Sequence, residues 1–391
     1  MKIVVASYGS RGDVEPCAAV ARELLRRGHE VRMAVPPNML GFVESAGLAG
    51  VAYGPDSREQ MNPAMDLVRD LAAQPQHPIS LLYNVIEHVS QVNADKSATL
   101  TSLAAGADLL VAGFNEQRLA ANVAEYQGIP VAALHFFPAR IWASGGMSSL
   151  IAQAAEDAQR SALGLPADAE PQRILELQAY DQLCLPGPTA DWVEEDDWRP
   201  FVGALTLGLP SDADDQVLSW IAAGTPPIYF GFGSTPLASP ADTVAMIGAV
   251  CTQLGERALI CSGANDFSCI PEVQQVKVVD AVNHAAILPA CRAVVHHGGA
   301  GTTAAGMRAG IPTVILWLWL DQPIWARAVE QLGVGSGRAF SVTTAETLTA
   351  DLRSVLTPGC VARARQLAGQ MTAPAASVTS AADFLEHYRL P

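Results

Sequence analysis

The sequence predicts an α/β protein with two Rossmann-like, doubly wound domains that face each other across a cleft. Short runs of Val, Ile and Leu, such as residues 3–7 and 31–35, alternate with longer helical patterns such as residues 14–27. These runs are continuous rather than alternately apolar and polar, which is typical of parallel strands covered on both faces. The alternation stops in one acidic segment and resumes after it, which predicts two such domains in the 391 residues.

The acidic segment marks the expected domain boundary. Residues 191–215 contain eight acids against one base, Arg199, together with Pro200 and Pro210, so we expect an exposed linker there. The first domain is expected over residues 1–190 and the second over residues 216–375. Further strands are predicted at 109–112, 131–134, 228–232, 258–261, 276–279, 293–296 and 313–316.

Composition excludes several classes of function. Thirty-nine acids against 24 bases give a net charge of −15, whereas nucleic-acid binders need a basic face. The most apolar stretch, residues 311–320, is too short for a membrane-spanning helix. Neither a P-loop nor a nicotinamide-binding glycine motif is present. Seven cysteines without a CxxC pair, and no visible secretory leader, lead us to expect a cytoplasmic protein with reduced thiols.

The strongest local signal is the glycine-rich turn that runs from His296 to Thr303 between a predicted strand and a predicted helix. Glycines let the backbone approach a bulky ligand, and a helix amino terminus offers N–H groups and a positive dipole. This predicts a phosphate site, with a plain helix cap as the alternative. His297 is expected to hydrogen-bond a diphosphate and offset its charge. The remaining contacts would come from Gly298, Gly299, Ala300, Gly301 and the hydroxyls of Thr302 and Thr303.

Three other turns carry weaker signals. Asp13, in the glycine-rich segment 9–16, would lie at the entrance of the first helix, where a carboxylate serves either as a helix cap or as a catalytic base. Ser234 lies in a turn after the strand at 228–232 and would contact phosphate or ribose, unless the turn is a plain loop. Asp321 and Gln322 follow the strand at 313–316 and would bind sugar hydroxyls, unless Asp321 is only a cap.

These motifs, in this order and followed by LGVG at 332–335, resemble a known family. The sequence is similar to inverting GT-B glycosyltransferases that use nucleotide sugars. The nearest group resembles actinobacterial enzymes that glycosylate antibiotics and glycopeptidolipids, and sterol glucosyltransferases share much of the pattern. The resemblance implies an acceptor-binding domain at 1–190, a linker at 191–215 and a donor-binding domain at 216–375. It also implies that a final helix within 376–391 crosses back to the first domain.

The resemblance also implies roles for individual residues. By position, Asp13 matches the catalytic base, His297 the histidine on the donor diphosphate, and Asp321 and Gln322 the pair that binds sugar hydroxyls. Residues 279–284 match the loop that holds the nucleobase, largely through its backbone. Related plant and animal enzymes stack an aromatic residue on the base where this chain has Ala281, which leaves UDP and TDP donors both open. The other implied donor contacts are Ser10, Arg11, Gly12, Ser234 and Val282.

The reaction that this assignment implies is a single displacement. Asp13 would remove the proton of an acceptor hydroxyl as general base, while His297, Ser234, Arg11 and the turn amides stabilise the leaving nucleoside diphosphate. We identify no second carboxylate for a double displacement, so inversion is expected. No metal or cofactor is expected, because the nucleotide sugar is a substrate and the only Asp-x-Asp string, at 212–214, lies in the acidic segment.

The partners are predicted only by class. We expect a nucleotide sugar carrying a hexose or 6-deoxyhexose, and a hydrophobic acceptor such as a glycopeptidolipid, phenolic lipid, macrolide or peptide natural product. Peripheral contact with the inner face of the plasma membrane would follow from a lipid acceptor, although no basic amphipathic helix demands it. A nucleotide-sugar 2-epimerase and a non-catalytic nucleotide-sugar-binding partner subunit are the alternative functions. The oligomeric state stays open.

Overall fold

A computed structural model describes residues 1–59, 78–138, 147–167, 173–185, 197–267, 275–319 and 321–388. The chain divides into two compact units. The first comprises Met1–Ala179, Glu195–Leu207 and Pro374–Pro391, and the second comprises Tyr180–Glu194 and Gly208–Ala373. Each unit contains one six-stranded parallel sheet with flanking helices, so the α/β class predicted from the sequence is confirmed.

The sheet of the first unit has the strand order β3-β2-β1-β4-β5-β6. Its strands are β1 (Lys2–Ala6), β2 (Glu30–Val35), β3 (Ala49–Ala52), β4 (Leu109–Gly113), β5 (Val131–His135) and β6 (Leu175–Gln178). Its helices are α1 (Arg11–Arg26), α2 (Leu40–Ser45), α3 (Pro78–Ala104), α4 (Gln117–Gln127), α5 (Met147–Leu163) and, from the end of the chain, Pro374–His387. Every residue of β4 and β5 is buried, as expected for central strands covered on both faces.

The sheet of the second unit has the strand order β12-β11-β10-β7-β8-β9. Its strands are β7 (Ile228–Gly231), β8 (Ala258–Cys261), β9 (Val276–Val279), β10 (Ala293–His296), β11 (Thr313–Trp317) and β12 (Gly335–Ala339). Its helices are α6 (Asp214–Ala222), α7 (Pro240–Leu254), α8 (His284–Ile287), α9 (Ala300–Ala309), α10 (Gln322–Gln331), α11 (Ala345–Val355) and α12 (Pro358–Ala368). We call the final helix of the chain, Pro374–His387, α13.

Both sheets have the same topology when their strands are counted within each unit. The first and fourth strands of a unit, β1 with β4 and β7 with β10, lie side by side, and the chain then builds outward on opposite sides of this pair. The loops at the carboxyl ends of such a pair diverge and leave a crevice, which is where open α/β sheets bind ligands. The fold therefore predicts one ligand-binding end in each unit.

Part of the acidic segment is not the exposed linker that the composition predicted. The carbonyl oxygens of Trp198 and Pro200 accept hydrogen bonds from the backbone N–H groups of Glu176 and Gln178, at 2.7 and 2.9 Å. Residues 202–205 and 207 are buried as well, with one half-buried residue between them. The reason is that β6 is an edge strand, whose unpaired backbone groups are satisfied here by a following apolar stretch. Residues 186–196 lie outside the described residues.

The last helix of the chain belongs to the first unit. Arg27, the C-cap residue of α1, forms ion pairs with Asp383 and Glu386 of α13 at 2.7 and 2.6 Å. His29 Nε2 lies 2.6 Å from the second of these carboxylates. Leu385 is fully buried. Apolar burial and a group of charges thus hold α13 against α1.

The helices that the structure describes include none that is both long and apolar enough to cross a membrane. The longest, α3, has 27 residues, but its sequence includes Glu87, Asp95 and Lys96. Charged groups of this kind are costly in a bilayer interior.

Candidate active site

In the first unit, Asp13 lies at the carboxyl end of β1, within the first turn of α1. Ser10 is the N-cap residue, and its backbone N–H and its hydroxyl donate to Asp13 Oδ2 at 2.7 and 3.1 Å. The alternative that Asp13 itself is the N-cap is therefore wrong. Asp13 occupies the third helical position and reaches back over the cap, as in a capping box, where its charge also suits the helix dipole.

Gly9 makes room for this carboxylate. Its φ of 139° lies in a region of backbone conformation that residues other than glycine rarely adopt. A Cβ atom on Gly9 would lie 2.3 Å from Asp13 Oδ2, which is inside van der Waals contact. The glycine of this turn is thus required for the folded-back position of Asp13.

A second side chain, Asn115, fixes the other oxygen of Asp13. It follows β4, the strand beside β1, and its Nδ2 donates to the carbonyl oxygen of Tyr8 at 3.0 Å and to Asp13 Oδ1 at 3.2 Å. Both oxygens of the carboxylate therefore accept hydrogen bonds from neighbouring loops. Sequence analysis missed Asn115, because a single asparagine after a strand forms no motif. Its position at the carboxyl end of a central strand is the one signal that points to it.

The turn that carries Asn115 is anchored by a buried ion pair. Lys96 Nζ lies 2.6 Å from Glu116 Oε1, and both side chains are at most 7% exposed. The Tyr53 hydroxyl donates to the same carboxylate, and the Lys96 ammonium lies 4.1 Å from the centre of the Tyr8 ring. Burial, reinforced by the nearby Glu116 charge, raises the pKa of Tyr53. A buried charge needs such partners, and here they hold the Asn115 turn in place.

The other predicted donor contacts of this turn are engaged within the first unit. The Arg11 guanidinium pairs with Glu15 at 2.7 Å and lies 5.1 Å from the centre of the Phe42 ring. The Ser10 hydroxyl is directed at Asp13, and Gly12 is exposed. Contacts of these three residues with the donor stay a prediction.

In the second unit, His297 joins two of the predicted motifs. It follows β10, and its ring lies between Gly233, in the turn after β7, and Gly299, in the turn before α9. A Cβ on Gly233 would lie 2.8 Å from His297 Cε1, and a Cβ on Gly299 would lie 2.7 Å from its Nε2. The glycines of both turns are therefore needed to admit the imidazole.

His297 is an uncharged donor rather than a cation near neutral pH. Its Nδ1 is buried without a hydrogen bond of good geometry, and the nearby Gly231 backbone offsets only part of the effect of burial. Burial lowers the pKa of His297 to about 4. The sequence predicted that this histidine hydrogen-bonds a diphosphate and offsets its charge. An uncharged ring suits the hydrogen bond, whereas charge compensation requires that the bound anion favour the protonated ring. Both roles stay predictions.

The glycine-rich turn presents the amino terminus of α9. Gly299 is the N-cap residue, and the first N–H bonded within the helix is that of Thr303, to Gly299 O at 3.0 Å. Within the described part of the chain, the N–H groups of Ala300, Gly301 and Thr302 have no hydrogen-bond partner. The hydroxyl of Thr303 also donates to Gly299 O, so the expectation that it is available to a ligand is wrong. Three backbone donors therefore remain beside His297.

The turn that contains Ser234 is held from a neighbouring loop. The backbone N–H of Ala264 donates to Gly233 O at 2.9 Å, and Asn265 Nδ2 donates to Thr235 O at 3.1 Å. Ser234 is exposed. The turn is thus fixed at both ends while its serine stays accessible.

The Asp321–Gln322 pair lies at the start of α10, against the glycine-rich turn that precedes α9. Asp321 holds the N-cap position, but its side chain makes no capping hydrogen bond, and its Oδ2 instead accepts a hydrogen bond from Trp325 Nε1 at 2.9 Å. Its contact with a sugar hydroxyl stays a prediction. Burial raises the pKa of Asp321. Gln322 is buried, and its Oε1 accepts from the N–H of Leu318 at 2.7 Å. A Cβ on Gly298 would lie 3.0 Å from the Cβ of Gln322. No hydrogen bond from the Gln322 amide nitrogen is formed to the residues that the structure describes, so this nitrogen is available to a ligand.

The predicted nucleobase loop, which follows β9, is tightly fixed. The Ser211 hydroxyl donates to Ala281 O at 2.9 Å, and Asp214 Oδ1 accepts from the N–H of Asn283 at 2.9 Å. Val282 is 5% exposed, with its side chain in the apolar core. Only the backbone of Val282 is therefore available for recognition.

Comparisons with known proteins place this chain in a family. Residues 3–141 match the glycosyltransferase family 28 N-terminal domain, and residues 246–385 match the erythromycin biosynthesis protein CIII-like C-terminal domain. A relative named an uncharacterized glycosyltransferase, from Mycobacterium tuberculosis, is 56% identical over 413 residues, covering 99% of this chain and 98% of the relative. The chain is a glycosyltransferase of this family.

One further relative and one solved structure resemble this glycosyltransferase over most of its length. The vancomycin aglycone glucosyltransferase of Amycolatopsis orientalis is 29% identical, over 97% of this chain and 96% of the relative. The crystal structure of the Streptomyces glycosyltransferase SsfS6 with thymidine diphosphate has a TM-score of 0.64 at 23% identity, covering 98% of this chain and 99% of that one. The structural likeness shows the fold and confirms the predicted GT-B class.

The glycosyltransferase thus brings its predicted site residues together in two groups. In the first unit, Ser10 and Asp13 meet at the carboxyl end of β1, and Asn115 joins them. In the second unit, His297, the turn amides and Gln322 meet at the carboxyl end of β10. Among the described residues there is no group of three or more His, Cys, Asp or Glu side chains that could hold a metal ion.

Proposed function

We propose that this glycosyltransferase moves a hexose or 6-deoxyhexose from a UDP- or TDP-sugar to a hydroxyl of a hydrophobic acceptor, with inversion and without a metal. Asp13 is the general base, and His297 with the turn amides binds the diphosphate. The observation that carries the proposal is the Asp13 carboxylate, which three donors orient at a ligand-binding end of the first sheet.

The hydrogen bonds to Asp13 suit a base. A carboxylate that accepts N–H and O–H hydrogen bonds is favoured in its ionised form, and its orientation is fixed before the substrate arrives. In the reaction, the acceptor hydroxyl gives its proton to Asp13, and its oxygen forms the new bond to the anomeric carbon. The bond from that carbon to the diphosphate oxygen breaks, and its electron pair leaves with the diphosphate. A positioned base of this kind contributes roughly 10²- to 10⁴-fold.

The second unit supports the leaving group. The N–H groups of Ala300, Gly301 and Thr302 are oriented at a helix amino terminus, where the dipole favours an anion. The neutral His297 ring adds a donor beside them. Donors that are already oriented stabilise the charge that develops on the diphosphate without further reorganisation.

Both UDP and TDP stay open as the nucleotide of the donor. We propose that the backbone of Val282 contacts the base, since its side chain is buried. The structural relative SsfS6 was crystallised with thymidine diphosphate, which supports a TDP donor, whereas Ala281 offers no aromatic ring that would select a base.

The apolar surface beside Asn115 supports a hydrophobic acceptor. Phe114 follows β4 and Phe136 follows β5, and their ring centres lie 6.3 Å apart in an edge-to-face contact. The ring centre of Phe137, which is buried, lies 4.5 Å from that of Phe114, so Phe137 packs beneath these two rings. Aromatic rings at the carboxyl ends of these strands suit an apolar aglycone, and the relative from Amycolatopsis acts on the vancomycin aglycone. For a lipid acceptor, we propose a cytoplasmic enzyme that contacts the inner face of the membrane.

The base assignment is tested by Asp13→Asn, which keeps the shape and removes the basic oxygen. We expect kcat for sugar transfer to fall about 10²- to 10⁴-fold, while the Kd for the nucleotide sugar changes less than about threefold. Asp95→Asn, an exposed carboxylate on α3, is the matched control and should leave both values unchanged. If Asp13→Asn retains normal turnover, the proposed mechanism is wrong.

The donor and the reaction type are tested separately. A thermal-shift panel of UDP and TDP sugars identifies the nucleotide, because a ligand that binds the folded state raises the Tm. Product analysis with the donor alone, without any acceptor, distinguishes a transferase from an epimerase. Transfer should persist in excess EDTA, and its loss there would contradict the metal-free mechanism.

A further inference from the structure

His296, the last residue of β10, is a buried histidine that the proposed reaction does not use. Its side chain has no exposed surface. In the sheet it pairs with Gly231 of β7 on one side and with Ile315 of β11 on the other. Such a position normally takes an apolar residue, so a polar ring there calls for a physical reason.

The ring has one hydrogen bond, and that bond reaches the glycine-rich turn. His296 Nδ1 accepts the backbone N–H of Gly298 at 3.0 Å. Its Nε2 is buried and has no hydrogen-bond partner among the residues described. Since Nδ1 is the acceptor, the neutral ring carries its hydrogen on Nε2. A protonated ring would direct an Nδ1–H at the Gly298 N–H, which the geometry excludes.

The bonded peptide controls the orientation of the turn. Gly298 has a φ of 94°, and its N–H is directed inward to His296 rather than outward to a ligand. Without an acceptor, a buried N–H is energetically costly, so the backbone would rotate to find another partner. Rotation at Gly298 would turn Gly299 and the amides that follow it. It would also move the backbone against which the His297 ring lies.

We propose that His296 is a positioning residue that sets the backbone of the diphosphate-binding turn through the hydrogen bond from Gly298 to its Nδ1. The inference rests on the proposed function, because it assumes that this turn binds a nucleoside diphosphate. The ring itself does not touch the ligand. It acts by fixing the amides of Ala300, Gly301 and Thr302 in a convergent arrangement.

Three substitutions separate this role from simple core packing. His296→Asn places an amide oxygen near the position of the histidine Nδ1 and keeps the acceptor. His296→Gln extends toward the position of Nε2, and His296→Leu fills the space without any acceptor. Thr313→Val is the control, because Thr313 is also fully buried in the same sheet and its hydroxyl has no described partner.

The binding of UDP and of TDP to each variant is measured by titration calorimetry. We expect His296→Leu and His296→Gln to weaken the nucleotide that wild type binds by about 10- to 100-fold, as for a lost buried hydrogen bond. His296→Asn should stay within about threefold of wild type, as should Thr313→Val. Equal weakening in His296→Asn and His296→Leu would overturn the proposal, and so would wild-type affinity in His296→Leu and His296→Gln.

The second measurement does not depend on a ligand. Amide hydrogen exchange at Gly298 should be slow in wild type and His296→Asn, and clearly faster in His296→Gln and His296→Leu. Unchanged exchange at Gly298 would overturn the inference. If wild type binds neither nucleotide but the exchange pattern holds, then the proposed function has failed while the positioning of the turn stands. If His296→Leu does not fold, the comparison of His296→Asn with His296→Gln still tests the proposal.

Discussion

Acidification should destabilise the second unit through His297. Burial lowers the pKa of this side chain to about 4, whereas an unfolded histidine titrates near 6.5. Between these values the unfolded chain binds a proton that the folded chain does not. The stabilisation by neutral His297 is therefore fully present above pH 6.5, is lost as the pH falls, and reaches its limit near pH 4.

The magnitude follows from the two pKa values. Between pH 7.5 and pH 4.5, linkage gives a loss of roughly 2 to 3 kcal/mol from His297 alone. Urea denaturation of wild type and His297→Asn at both pH values, followed by tryptophan fluorescence, measures the difference. A chain with two units can unfold in steps, so the transition that the substitution shifts is the one to compare.

The control for this experiment is His387→Asn, since His387 lies at the end of α13 in the first unit. We expect the wild-type transition to lose roughly 2 to 3 kcal/mol more than that of His297→Asn over this pH range. The His387 variant should behave as wild type. Equal pH dependence in wild type and His297→Asn would refute the argument that this ring is held uncharged by burial.

Two further predictions concern the orientation of the site groups. Asn115→Ala should lower kcat about 10- to 100-fold with little change in the acceptor KM, because Asp13 loses a donor that orients its carboxylate. Wild-type kcat in Asn115→Ala, measured beside Gln91→Ala as the control, would contradict this role. Gly299→Ala should weaken nucleotide binding at least tenfold, since the new methyl group would overlap the His297 ring. A Kd equal to that of wild type, measured by titration calorimetry, would disprove the overlap.

The central strands could be predicted from the sequence, whereas three of the four edge strands could not. The predicted strands at 258–261 and 293–296 coincide with the central strands β8 and β10. The edge strand β9 was also predicted, at 276–279, because three of its four residues are valines. The sequence analysis missed β3, β6 and β12, which all lie at the edge of a sheet. A central strand is covered on both faces and needs a continuous apolar run, whereas an edge strand such as Gly335–Ala339 can be formed by small and polar residues.

The chemistry of the site was only partly visible in the sequence. Motifs identified the turns, because glycines and a histidine at fixed spacing have a direct physical reason to be there. They did not show that Asn115 reaches Asp13, since that contact joins residues 102 positions apart. Nor did they show that His297 is uncharged, because burial is a property of the folded chain. The engagement of Arg11 by Glu15 and of Gln322 by its own loop likewise depends on local geometry.

The return of α13 to the first unit has a consequence for engineering. Exchanging residues 208–373, the main segment of the second unit, between relatives requires two junctions, one at each end of that segment, rather than a single crossover. A hybrid made with one junction would import a foreign final helix, and Arg27 and His29 would then face carboxylates that they were not matched to. Such a chimera would have a less stable first unit, although only the final helix of that unit was changed.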